Sequence, residues 1–366
     1  MKIVCSKADL SRTISLAQSA ASTKNVMPVL TNLLFEADKD SLTVTGTDLE
    51  LGVRARIKTE VIEPGNSTLP AKKLLELVKT FDEGDVEITV KEGVKGEIKS
   101  GRATIKLMGV PADDYPNFPG YRKERSLTLS CKHLLDMIRR TSFSVSQDET
   151  RYILQGALLQ SDGKKARMVT TDGHRLSFVE YDLAQAQEPV SAVLPSKALQ
   201  ELSRVLEPKD DPVTVYFTEN QIFVEMGDLT VFSRLLDGQF PNYDQVIPKK
   251  NEHTLKADVA PLVSVLNRMA PLASDKGNSV KFHLSEEGLN VTAATADVGE
   301  GSETIDVTYS GPAMTVAFNA RYLIEALKSL GAERMEMKLS SPLSPTLILP
   351  EGGDTACRYV VMPMRA

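Results

Sequence analysis

The most enzyme-like string in the sequence is MVTTDGHRL, from Met168, which places Asp172, His174 and Arg175 side by side. An Asp next to a His can share a proton in general acid–base chemistry. A second copy of the string argues against that use. TVTGTDLEL, from Thr43, carries Thr47 and Asp48 where the later string carries Thr171 and Asp172, 124 residues on, and no histidine follows it. A Thr-Asp pair at a strand end most simply satisfies the backbone groups of a turn with its side chains. His174 and Arg175 are then particular to the second copy, as residues that contact a partner rather than catalyse. The sequence has no G-x-x-x-x-G-K-[ST] loop, G-x-S-x-G elbow, H-E-x-x-H pair or acidic metal cluster. Its histidines, at 133, 174, 253 and 283, are scattered, and Cys5, Cys131 and Cys357 lack the spacing of a zinc site or disulfide framework. The expectation is therefore no metal, no cofactor and no catalytic set. An enzyme built around Asp172 and His174 stays open as the alternative.

A second constellation is electrostatic. Three segments, PAKKLLELVKTF from Pro70, PSKALQELSRVL from Pro195 and NARYLIEALKSL from Asn319, each show helical apolar spacing. Their polar positions read Lys72–Glu76–Lys79, Lys197–Glu201–Arg204 and Arg321–Glu325–Lys328. That is basic, acidic, basic at i, i+4 and i+7, on one predicted outward face. One such face alone is a solvated helix surface with weak ion pairs. Three of them form a surface suited to many weak, sequence-independent phosphate contacts. Arg12, Lys132, Arg139, Arg140 and Arg268 add to it from a second set of helices, with Lys24 just beyond the first of these.

These elements must be positioned by a repeat. The second set of helices reads KADLSRTISLAQSA from Lys7, CKHLLDMIRRTSFS from Cys131 and KADVAPLVSVLNRMA from Lys256. Lys72, Lys197 and Arg321 stand 125 and 124 residues apart. Pro70 and Pro195 precede their helices and Asn319 can cap the third. Between the two helices of each copy lies a predicted hairpin: NLLFEADKDSLTVTGT, GALLQSDGKKARMVTT and SVKFHLSEEGLNVTAA. The strands DVEITVKEG, PVTVYFTEN and MEMKLSSPL follow the second helix, each with a further strand pair behind it. The 366 residues thus read as three α+β units, 1–122, 123–247 and 248–366. With no tryptophan and few aromatics, aliphatic side chains must supply most of the core. The net charge of −6 excludes a protein coated in positive charge, though not a local basic surface. The N-terminus has too short an apolar run for a signal peptide, and the expected location is the cytoplasm. At the other end, Val360, Met362 and Met364 alternate on one face around Pro363; a core strand is the usual explanation, and the pattern also suits an adaptable apolar groove for peptides.

Taken together, LTVTGTDLELGVRARI (from Leu42), TTDGHRL (from Thr170), LLDGQFPNYDQVIPK (from Leu235), DVTYSG (from Asp306) and YVVMPMR (from Tyr359) resemble the bacterial sliding clamps, the beta-subunit family of DNA polymerase III. The resemblance spans the whole chain. It implies three clamp domains of two helices on antiparallel sheets. It also implies a head-to-tail homodimer, a ring of six domains with its helices facing duplex DNA. The implied function is a non-catalytic processivity factor that tethers the replicative polymerase.

Residues for DNA would be Lys24, Lys72, Lys73, Lys79, Gln147, Arg151, Tyr152, Ile153, Lys197, Arg204, Arg321 and Lys328, with Ile153 where a second aromatic can occur. A groove for short linear motifs of the polymerase III alpha subunit, the clamp loader, other polymerases and repair proteins would use Leu154, Thr171, Gly173, His174, Arg175, Leu176, Pro241, Val246, Asn319, Tyr322, Leu343, Val360, Met362, Pro363, Met364 and Arg365. Gln245 stands where a basic residue can occur at its rim. Ile105 and Leu107 on one side, and Pro271 and Leu272 on the other, would join the subunits. A partner-binding scaffold that keeps the fold without ring closure is a third reading.

Overall fold

Six times among the described residues a strand runs straight into a helix. The computed structural model describes residues 1–22, 27–91, 94–273, 277–352 and 356–365. Strands Lys2–Ser6, Ser126–Ser130 and His253–Asp258 lead into helices α1 (Lys7–Gln18), α3 (Cys131–Thr141) and α5 (Val259–Met269). Strands Gly65–Pro70, Val190–Pro195 and Met314–Asn319 lead into α2 (Ala71–Thr80), α4 (Ser196–Val205) and α6 (Ala320–Ser329). Caps fix the turning points. Ser6 Oγ accepts from the Asp9 N–H at 3.1 Å, and Asn319 Oδ1 accepts from the N–H groups of Arg321 and Tyr322 at 2.9 and 3.3 Å. One boundary differs from the sequence reading. Lys256–Asp258 extends the strand rather than opening α5, because its backbone pairs with Arg334–Glu336.

The described residues divide into two compact units, 1–132 with 200–235, and 133–199 with 236–366. Neither follows a repeat boundary, and the reason is a pair of sheets that run through the repeats. In the first unit, Leu229–Arg234 pairs antiparallel with Leu51–Lys58, joining second-repeat strands to first-repeat strands in one eight-stranded sheet. In the second unit, Cys357–Val361 pairs with Arg175–Asp182 in a nine-stranded sheet. A five-stranded sheet completes the first unit and a four-stranded sheet the second. Every strand pairing is antiparallel.

Aliphatic side chains supply most of the cores, with buried aromatics such as Phe35, Phe223, Phe282 and Tyr359 among them. In the first repeat, Leu10, Ile14 and Ala17 of α1 and Leu74, Leu75 and Val78 of α2 pack on Leu33, Phe35, Leu42, Val44, Ile88 and Ile98. Each of these leucine, isoleucine, valine and phenylalanine side chains contributes about 1.5–3 kcal/mol by leaving water.

The repeat is exact down to a turn. Thr47 Oγ1 donates to the Leu51 carbonyl (2.8 Å) and accepts from the Leu49 N–H (3.0 Å), while Asp48 Oδ1 accepts from the N–H groups of Glu50 and Leu51. Thr171 and Asp172 make the same four bonds to Arg175, Gly173 and His174. Both turns need a left-handed residue: φ is +77° at Leu49 and +87° at Gly173. Leucine pays a steric cost there that glycine does not.

Leu49→Gly is therefore expected to stabilise the protein by about 0.5–1 kcal/mol, after the extra chain entropy of glycine is subtracted. Gly173→Leu is expected to destabilise it by more than that, since a Cβ would also lie 2.5 Å from Arg151 Nη1. Urea midpoints of the two variants check both signs; equal shifts in the same direction would contradict the equivalence of the turns.

Candidate functional site

The cationic helix faces come first. Lys72, Lys79, Lys197, Arg204, Arg321 and Lys328 are all exposed, one pair on each of α2, α4 and α6. The acids between them behave differently from the sequence reading. Only Glu76 is exposed, and it pairs with Lys73 at 3.1 Å. Glu201 is 7% exposed; its carboxylate accepts from Ser19 Oγ at 2.6 Å and from Arg204 at 2.9 Å. Glu325 is half-buried between Arg321 and Arg175. Burial raises its carboxyl, but hydrogen bonds from those two guanidinium groups outweigh it and hold the group below the usual range. Two of the three acids thus turn inward and leave cations as the outermost charges.

The other helices add less than expected. Arg12 pairs with Glu207, Arg268 with Glu303, and Arg140 with Asp136, Arg140 also donating to the Leu330 carbonyl. Arg140 is half-buried and does not belong to an outward face, whereas Lys132 and Arg139 are exposed. Lys24 lies outside the described residues.

A second site gathers in the 133–199 with 236–366 unit around the Thr171–Arg175 turn. Asp172 is spent on the turn, accepting from the N–H groups of His174 and Arg175 and from Arg175 Nε at 3.0 Å, so it does not form a dyad with the His174 ring. His174 is exposed, its ring parallel to Tyr322 at 6.5 Å. Burial, and then the Asp172 charge, push the Tyr322 phenol up and keep it protonated. Arg175 is only 8% exposed, yet it lines the recess beside His174. Its guanidinium lies 4.3 Å from the Tyr322 ring and 5.3 Å from Phe143, donates to the Phe143 carbonyl, and pairs with Asp172 and Glu325. It holds the turn to α6. Removing one partner from such a buried cluster costs about 3–5 kcal/mol. Arg151 is likewise tied down, donating to the Asp172 carbonyl at 2.7 Å and pairing with Asp148 at 3.4 Å.

Beside this turn lies an apolar cluster. Leu158, Val169, Leu176, Phe178, Val193, Phe240, Leu347 and Val360 are buried, with Ile153, Leu154, Leu236, Tyr243, Ile247 and Leu349 half-buried against them. Leu176 and Val360 are opposed in the ladder and form the floor, below the surface rather than at a rim. Ile153 packs half-buried into this cluster, whereas its neighbour Tyr152 is 54% exposed. Leu154 joins the cluster, and Pro241, Val246 and Leu343 are exposed around it.

The C-terminal segment is held by the Met362 N–H to the His174 carbonyl (2.9 Å) and the Met364 N–H to the Ala317 carbonyl (2.7 Å). This places Met362, Pro363 and Met364, all half-buried, next to the turn, with Arg365 exposed. The neighbouring recess is lined by Phe143, Gln147, Asp148, Asn319, Arg321 and Tyr322 together with His174 and Arg175.

The third candidate set sits at strand edges. Ile105 and Leu107, in Ala103–Met108 at the end of the five-stranded sheet, turn inward against the first-repeat core. Pro271 and Leu272 form a short 3₁₀ turn after α5. Leu272 lies against Gly301 of Gly299–Ile305, the end strand of the four-stranded sheet, where a Cβ would come within 2.6 Å of Leu272 Cδ1.

The sequence reading missed Phe143 and the inward role of Glu325. A phenylalanine in the polar run TSFS was the available signal for the first; nothing local marked the second.

Comparison with known proteins places the whole chain. Residues 1–119, 128–242 and 244–365 match the N-terminal, central and C-terminal domains of the DNA polymerase III beta subunit. The beta sliding clamp of Escherichia coli is 34% identical over 367 residues, covering 100% of both chains. That of Synechocystis is 33% identical over 389 residues, covering 100% of this chain and 99% of that one. A sliding clamp crystal structure from Pseudomonas aeruginosa, 31% identical, superposes with a TM-score of 0.96 over 100% of both chains. With each of its three repeats matched in order and its full length covered, the chain belongs to the DNA polymerase III beta subunit family, the sliding clamps.

Proposed function

We infer that this chain is a processivity factor, a non-catalytic clamp subunit that keeps a replicative DNA polymerase on its template. The observation that carries this reading is the family membership of all three domains, joined to exposed cations at repeated positions on α2, α4 and α6. In our reading, two copies close head to tail into a six-domain ring in the cytoplasm, with the six second helices toward duplex DNA. A net charge of −6 over the chain repels DNA elsewhere, and the helix cations attract phosphate without reading sequence. Weak, screened contacts permit sliding, while closure of the ring prevents escape.

For the subunit contact, Ala103–Met108 and Gly299–Ile305 are the strands best suited, since both end their sheets. The first carries Lys106 and the second Glu300, Glu303 being already paired with Arg268. Pairing them between copies satisfies two open edges at once and sets opposite charges together. For partners, the apolar cluster rimmed by Val246, Leu343, Met362 and Met364 suits a short peptide from the polymerase alpha subunit, the clamp loader or repair proteins. Thioether side chains adapt to varied apolar ligands.

Three tests follow from this reading. Loaded protein is expected to stay on nicked circular DNA and to leave within minutes of linearisation; equal retention on both forms would reject topological binding. Pro363→Ala with Met364→Ala is expected to weaken binding of a polymerase alpha C-terminal peptide at least tenfold in calorimetry, with the dimer mass unchanged. Undiminished affinity would place the partner site elsewhere. Leu272→Asp is expected to move the sedimentation coefficient toward that of a monomer at micromolar concentration, and an unshifted dimer would misplace the interface.

A further inference from the structure

The two through-running sheets make the same row of side chains twice, and the chain treats the two rows differently. In the second unit the row is Leu176, Val360 and Leu347, on three adjacent strands in register. In the first unit the register gives Gly52, Phe232 and Phe223 at the same places. The first row is roofed by the chain itself. Phe118 meets Phe232 edge-on at 5.0 Å and Phe223 at 6.4 Å, and its ring lies 4.0 Å from the Arg54 guanidinium. Tyr121 stacks on Phe223 at 3.9 Å and 14°, and its hydroxyl is hydrogen-bonded to Glu225, which also takes the Lys123 ammonium at 2.8 Å.

Both rings come from the connector Tyr115-Pro116-Asn117-Phe118-Pro119-Gly120-Tyr121. Its counterpart, 125 residues later, is Phe240-Pro241-Asn242-Tyr243-Asp244-Gln245-Val246. There Tyr243 packs on the cluster, 5.9 Å from Phe178 and with its hydroxyl donating to Gln160 at 3.1 Å, but Val246, in the place of Tyr121, brings no second ring and is 41% exposed. We propose that the first row is a second groove of the same build, kept closed by Phe118 and Tyr121 as a built-in ligand, so that each chain offers one open groove and not two. This rests on the groove reading above only for what the open row does; the closure of the first row is independent of it.

The probe is the connector itself, a fluorescein-labelled synthetic peptide of residues 114–123. A tethered segment sees its site at millimolar effective concentration, so the free peptide should bind weakly once the tethered rings are gone. Phe118→Ala with Tyr121→Ala is expected to bind it with saturable anisotropy, at least tenfold tighter than the unaltered protein, and equally well with Pro363→Ala and Met364→Ala added. A folded double variant that does not bind, or unaltered protein that binds as well, overturns the proposal. Loss of binding only in the Pro363, Met364 background also overturns it, since the peptide would then occupy the open groove. If the double variant does not fold, Tyr121→Trp decides the matter in a chain that has no other tryptophan. Blue-shifted emission shielded from acrylamide supports a seated ring, and emission like that of free tryptophan rejects it.

Discussion

Two strand pairings carry the architecture: Leu229–Arg234 with Leu51–Lys58, and Cys357–Val361 with Arg175–Asp182. A sheet edge is a row of backbone donors and acceptors that must be satisfied. By meeting that demand across repeat boundaries, the chain merges sheets that three separate domains would have left open. The pairings also set register, and register decides which side chains share a face. A slip of one residue at Arg175–Asp182 would carry Leu176 and Phe178 out of the apolar cluster and turn Arg175 away from Glu325. The groove, its floor and the buried Arg175 cluster all depend on that ladder.

The helix faces show how an acidic chain can present positive charge without extra cations. Formally each set of three carries +1. What matters to an approaching phosphate is which charges are outermost, because screening weakens the rest over a Debye length of about 8–10 Å. Glu201 and Glu325 are withdrawn into hydrogen bonds with Ser19, Arg204, Arg175 and Arg321, and the exposed termini of each set remain cationic. The same withdrawal gives Glu325 a structural task, since it fixes Arg175 and through it the turn that bears His174.

Much of this was legible in the sequence where the signal is local and repeated. The helices, the hairpins between them, the Asn319 cap and the Thr-Asp turn all follow from patterns within a dozen residues, and the turn's bonds at Thr47 and Thr171 match the role read for it. What was not legible depends on residues far apart in sequence. Arg175 reads as an exposed contact until Glu325, 150 positions away, is brought beside it. Ile153 follows Tyr152 in sequence, yet one packs inward and the other faces solvent. Helical spacing put Glu201 on an outward face. It could not report that Ser19 would stand 2.6 Å from its carboxylate.

The divergence of the two rows ties sequence drift to use. At the first, a large residue on one strand is matched by none on its neighbour: Phe232 fills the space above Gly52, where a Cβ would come within 2.1 Å of the ring. At the second, Val360 faces Leu176, two mid-sized side chains that leave a smoother floor. Each solution fills its volume, as close packing requires. They differ in what lies above. An aromatic floor of Phe232 and Phe223 holds two rings from the connector by edge and face contacts, each aromatic pair worth about 0.5–1.5 kcal/mol beyond burial. An aliphatic floor with methionines at its border has no such ring-specific geometry, which is what the proposed use by apolar ligands of more than one shape requires. The two rows differ at all three places, Gly52 for Leu176, Phe232 for Val360 and Phe223 for Leu347, and the connector above them differs in step, with Phe118 and Tyr121 over the first and Tyr243 and Val246 over the second.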